Sequence, residues 1–330
     1  MICNYPSLAD IPPEEIPRVF DLSLEAEAIR VKPGGYNAHV IMIQTKHGNP
    51  DVVTKLYGDK KRGFTEEQAR IVASHLVHYR ILLTDFGIVI PQMCDIAISE
   101  NSETGIWWVV ETEHYSGSDQ LAVIRTGALE RVEWVVRTML ESSLPFLTTG
   151  EPLPIGLDPL PSNFCISEGE TVLTYVDFMP VRYVEAGGRA LVEWPEPTTE
   201  LGYKLGFWKH YMAVGLLTVM LTQLCRYRPE FRPHFKRVIL EFLQRNRVGR
   251  IAEELVSSPG WEIRRTPNLQ ELEELVAQNV YHARNLACEL AFIGQISQEQ
   301  LSELFRLSHF EDSFTLPKIQ SVAAAIAAFL

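Results

Sequence analysis

The first third of the chain carries short apolar or β-branched runs broken by turns, whereas later stretches place apolar residues every three or four positions. The first pattern predicts strands and the second amphipathic helices. Strands are expected at Ala28–Val31 and Ala38–Thr45, joined by Lys32-Pro33-Gly34-Gly35-Tyr36-Asn37, and at Asp51–Tyr57 after a second turn. A helix follows from Thr65, a good N-cap residue, to about Leu83, with Val72, Leu76, Tyr79 and Leu83 as its apolar stripe. Further strands are expected at Gly87–Ile90, Cys94–Ser99 and Ile106–Glu111, then a helix over Ala128–Leu144. A proline-rich turn and a hairpin occupy Pro154–Phe178, and Met179–Thr199 reads as a long connection. Beyond it the periodicity predicts helices at Leu205–Arg226, Arg232–Asn246, Val248–Ser257, Leu269–Ile293, Ser297–Leu307 and Ile319–Phe329. The basic residues Arg226, Arg228, Arg232, Lys236 and Arg237 read as the solvated face of a helix junction.

Composition narrows this picture. A chain of 330 residues is long enough for two lobes or domains, and 46% hydrophobic with 22% charged positions reads as globular. A net charge of -12 and the lack of any long Lys/Arg run argue against nucleic acid or an anionic membrane as partner. The five cysteines are scattered and form no C-x-x-C pair, which argues against a disulfide framework or a zinc site and for a reducing, cytoplasmic setting. The start of the chain has no signal-peptide pattern, and its apolar runs fall well short of the roughly 20 residues a membrane span needs. Oligomeric state is not legible.

The candidate chemistry centres on Asp158, Asn163 and Asp177. A carboxylate on a short loop is suited to accept a hydroxyl proton, and an amide oxygen five residues on and a second carboxylate after the next hairpin are hard donors suited to a divalent cation. Upstream, Gly34 and Gly35 permit positive φ and close backbone approach, and Lys55 lies in the apolar run VVTKLY. A glycine turn followed by a strand lysine is one way to cradle nucleotide phosphates.

In this order the motifs resemble the protein-kinase-like superfamily, nearest to its aminoglycoside and choline phosphotransferase branch. GLDPLPSNFCI resembles the catalytic loop H-G-D-x-x-x-x-N, VDF resembles the metal-binding I-D-F or I-D-W stretch, and Gly34, Gly35 and Asn37 resemble the phosphate loop. The resemblance covers about residues 30–180. It implies an α+β, two-lobed fold: an N-lobe at 1–112 with a small antiparallel sheet and one helix, and a mainly helical C-lobe at 113–330. It also implies ATP and magnesium, a small-molecule hydroxyl as acceptor, Asp158 as base or positioning residue, and Asn163 with Asp177 on the metal. Lys55 with Gly34, Gly35 and Asn37 would hold the phosphates, and the backbone at Glu111 and Glu113 would form the adenine hinge. A helix glutamate would pair with Lys55; Glu67 is the candidate and Gln68, four residues before Val72, its rival. The chain departs from the pattern at Gly156, where the branch has histidine and the neighbouring sequence offers no imidazole. That departure keeps open a second reading, a nucleotide-binding pseudokinase acting through a protein partner.

Overall fold

A computed structural model describes residues 28–32, 38–44, 50–57, 64–101, 105–148, 156–167, 169, 171–178, 207–263, 265, 267–308 and 316–328. The protein is α+β, with small antiparallel sheets and a mostly helical remainder. Its described residues form two compact units: one comprises 28–85, 89–117 and 174–178, the other 86–88, 118–173 and the chain from 207 onward.

In the first unit β1 (Ala28–Lys32), β2 (Ala38–Gln44), β3 (Pro50–Tyr57), β4 (Met93–Asn101) and β5 (Ile106–His114) make one antiparallel sheet in the order β1-β2-β3-β5-β4. Helix α1 (Glu66–Asp85) buries Val72, Leu76, Tyr79 and Leu83, the stripe expected from the sequence, and also Arg80. No strand forms at Gly87–Ile90: Gly87 takes a φ of 76°, and the extended segment after it contributes one bond, accepted by the Val89 carbonyl from the Tyr175 amide at 2.8 Å. Strand β5 runs on to His114 and its unit to Gly117, and Thr174–Tyr175 (β8), with Asp177 after it, belongs to the same unit.

The second unit begins with β6 (Ser118–Asp119), α2 (Leu121–Thr126) and α3 (Leu129–Thr148), and β6 pairs with β7 (Phe164–Ile166). Helices α4 (Ala213–Tyr227), α5 (Arg232–Arg245), α6 (Gly249–Val256), α7 (Leu269–Gln278), α8 (Val280–Phe292), α9 (Gln298–Leu307) and α10 (Leu316–Ala327) make up the rest. Helix α4 is buried nearly all round, as expected of a helix apolar on every face. Helix α8 is equally buried but carries His282, Arg284, Asn285 and Glu289. Their charges are matched inside: Arg232 donates to Glu289 at 2.5 Å, to Asn285 at 2.7 Å and to the Gly260 carbonyl at 2.8 Å, while Arg284 donates to Ser308. Arg232, read from sequence as solvated, is fully buried because this set of acceptors satisfies its guanidinium.

Two expected helices are interrupted. The 269–293 pattern breaks at Asn279, whose extended backbone lets its side chain accept the Tyr281 amide as the N-cap of α8. The 205–226 pattern gives a 3-10 turn, Phe207–His210, a turn residue at Tyr211 and extended backbone at Met212 before α4. Here the backbone at 210 pairs with a distant loop instead of continuing the helix.

Candidate functional site

In the first unit the candidate residues lie on β3 and β5. Lys55 pairs directly across from Glu111, and Val53 from Glu113, so the period-two alternation puts Lys55, Tyr57, Glu111 and Glu113 on one face. All four are buried. The Lys55 ammonium lies 2.5 Å from Glu113, donates to the Val176 carbonyl at 2.7 Å, and stands 4.4 Å from the centre of the Phe178 ring. Arg80 of α1 lies against the opposite acids, 2.5 Å from Glu111 and 3.0 Å from Glu113, and its guanidinium carbon is 4.0 Å from the Phe178 ring centre. Arg80 also donates to the Pro91 carbonyl. Tyr57 donates to Glu111 at 2.7 Å, and burial followed by Glu111 and Glu113 pushes its phenol up, with a smaller push from Asp177. Burial likewise raises Glu113, against the pull of Lys55.

This arrangement corrects two expectations. The anion beside Lys55 is Glu113; Glu67 is exposed, and Gln68 is spent on the helix start, accepting the Thr65 amide at 2.9 Å. The helix contributes a cation, Arg80, where the resemblance implied an acid. Nor do Glu111 and Glu113 form a hinge with open backbone groups, since β5 lies between β3 and β4 and both residues have partners in each neighbour. Gly34, Gly35 and Asn37 lie outside the described residues.

In the second unit the structure brings together Asp158, Asn163, Lys209, His210 and Tyr281. Two prolines, Pro159 and Pro161, stiffen the loop. The Asp158 carbonyl accepts the Leu160 amide at 2.9 Å and the Asn163 side-chain amide at 3.2 Å, which folds Asn163 back over the turn. Gln120 fastens the far end, donating its backbone N–H to the Phe164 carbonyl at 3.0 Å. Leu160 packs on Val219, Val280 and Tyr281.

The front of the loop is clamped by residue 210. The Leu157 amide donates to the His210 carbonyl at 3.1 Å, and the His210 Nδ1 meets the Leu157 carbonyl at 3.2 Å. Burial, and then the neighbouring Lys209, holds the His210 imidazole well below the usual histidine range, so the ring is neutral at neutral pH. A neutral ring facing a carbonyl through Nδ1 carries its proton there and donates it. The same ring lies 4.0 Å from an Asp158 carboxylate oxygen, a separation that a charged imidazole would make an ion pair and a neutral one leaves a polar contact. An added Cβ on Gly156 would lie 3.1 Å from Tyr211 Cζ and 3.2 Å from His210 Cβ, so the glycine makes room for this clamp. An imidazole therefore braces the loop from 54 residues downstream of Gly156, where the sequence near the loop offered none.

Asp158 keeps 19% of its side-chain accessibility. Burial raises its carboxyl, opposed by Lys209 and by the Asn163 hydrogen bond. A carboxylate raised by burial is a better proton acceptor than a solvated one. Lys209 donates to the Tyr281 hydroxyl at 2.5 Å. Arg80, Lys209, His210 and Tyr281 were missed in the sequence. Arg80 had a signal, since it falls four residues after Leu76 on the packed stripe; Lys209 and His210 interrupt an apolar run, but nothing local ties them to Asp158.

Among the described residues no group of three or more His, Cys, Asp or Glu is placed to hold a metal ion, and no helix is long and apolar enough to cross a membrane. No protein-family model matches the chain, and no curated protein sequence matches it.

Proposed function

We propose that the protein is a kinase-like phosphotransferase with a two-lobed arrangement, which moves the γ-phosphoryl of ATP to a hydroxyl of a small molecule. The observation that carries this reading is the Asp158 loop, a mostly buried carboxylate of raised basicity, held by an imidazole clamp and flanked by an ammonium. Asp158 takes the acceptor proton as the acceptor oxygen bonds to phosphorus and the bond to the leaving diphosphate breaks. The neutral His210 takes no proton in this step; with Pro159 and Pro161 it fixes where the carboxylate points. Asn163 and Asp177 are each oxygen donors of the kind a hard cation takes: Asn163 turns its nitrogen to the Asp158 carbonyl, and Asp177 supplies a half-buried carboxylate. Magnesium would supply the charge that neutralises phosphate.

A second reading is a nucleotide-binding pseudokinase acting through a protein partner: the Lys55 ammonium is already engaged by Glu113, the Val176 carbonyl and the Phe178 ring, so holding phosphates in line for transfer would have to compete with a buried ion pair, which counts against turnover.

Thermal unfolding with ATP, GTP or ADP, each with and without magnesium, tests the shared premise, because a ligand that binds only the folded state raises the midpoint by mass action. We expect a magnesium-dependent rise with ATP that disappears in Asp177→Ala. No rise with any nucleotide at millimolar concentration would defeat both readings.

A further inference from the structure

We propose that Lys209 is the phosphate-binding cation of the Asp158 site, its ammonium held in position by the Tyr281 hydroxyl. The proposal rests on the phosphotransferase reading and names the residue that would meet the transferred group.

Lys209 is tied to the loop through its neighbour, because the His210 carbonyl and ring fix Leu157 from one residue away. Its ammonium donates to Tyr281 at 2.5 Å and lies 4.4 Å from the centre of that ring. Tyr281 is buried in the first turn of α8 and packs with Val280 against Leu160 of the loop, so the group that holds Lys209 also holds the loop. An ammonium has three donors and Tyr281 takes one, and the lysine side chain is half-buried.

Among the described residues, Arg284, 4.8 Å from the Tyr281 ring, donates to the Ser308 hydroxyl and carbonyl and also acts on the Tyr281 phenol. His210 is neutral, and Asn163 brings no charge. Lys209 acts on Asp158, and with Arg284 it lowers the Tyr281 phenol against the effect of burial.

A fixed ammonium held beside the loop would meet the negative charge that shifts onto the transferring phosphoryl group.

Inorganic phosphate is the probe for the test. In full-length ¹⁵N-labelled protein it should shift the amides of the 157–163 loop saturably, and Lys209→Met should weaken that affinity by about 10-fold or more, the usual loss for one charge-assisted hydrogen bond. Lys209→Arg should stay within a few-fold of the wild type. Unchanged α5 amides in each variant show that the fold survives. Equal phosphate affinity in wild type and Lys209→Met, or no saturable shift at the loop, would each overturn the proposal. The assay uses neither nucleotide nor acceptor, so Lys209-dependent phosphate binding without turnover would count against the phosphotransferase reading alone.

Discussion

Replacing Arg80 by Met separates charge from packing in the first unit. Arg80 faces Glu111 and Glu113 at 2.5 and 3.0 Å, and all three side chains are at most 6% accessible. Methionine fills much of the same volume but leaves two buried carboxylates with Lys55 as their remaining cation. Breaking a buried pair from one side costs about 3–5 kcal/mol, because the surviving charge can neither reach water nor find a partner. Native-state hydrogen exchange reads this locally: amides of β3 and β5 should lose protection by that amount, while those of α5 and α8 keep theirs.

The pH dependence has a defined sign. Burial raises Glu113 in the folded protein, with Lys55 and Arg80 opposing it. A carboxyl raised on folding contributes stability that is fully present below its unfolded value of about 4.3 and is lost as pH rises through the folded value. Losing Arg80 raises that folded value further, so Arg80→Met should cost more at pH 8 than at pH 5. A loss under about 1 kcal/mol, or the same loss at both pH values, would refute this account of the network, since exposed pairs behave in that way.

Two other predictions concern the second unit. Gly156→Ala puts a methyl 3.1 Å from Tyr211 and 3.2 Å from His210, both part of the clamp, so it should destabilise by about 1–3 kcal/mol, as overpacking does; urea unfolding within about 0.5 kcal/mol of wild type would show that the clamp gives way freely. Burial pushes His282 down to about 4, so its contribution is present above the unfolded value near 6.5 and is lost as pH falls towards 4; His282→Gln should flatten the acid loss of stability over that window by about 3 kcal/mol, and an unchanged slope would contradict the assignment.

Local pattern carried most of the element map. The stripe of α1, the strands on either side of residues 33–37 and the Ser297 cap of α9 follow from period and composition, which neighbouring residues alone determine. What the pattern missed was set at long range. Asn279 and His210 lie inside helical periodicities and break them, one by capping α8 and the other by pairing with Leu157. The partner of Lys55 follows from strand register, which brings Glu113 to the same face; a helix glutamate expected from motif order could not show this. The Asp158 and Asn163 spacing was legible because five residues span one turn. Their imidazole and ammonium were not, because residues 209 and 210 reach the loop only through the tertiary fold.

The most direct test of the central claim is ATP-dependent phosphoryl transfer by wild type and Asp158→Asn, followed as ADP release over a panel of aminoglycosides, amino alcohols, sugars and nucleosides. Asparagine keeps the size of the side chain and removes its basicity. The account predicts an acceptor-dependent rate that falls by about 10²–10⁴-fold in Asp158→Asn, the usual weight of general-base catalysis, with the nucleotide-induced rise in unfolding midpoint retained. Equal rates in the two proteins would contradict it.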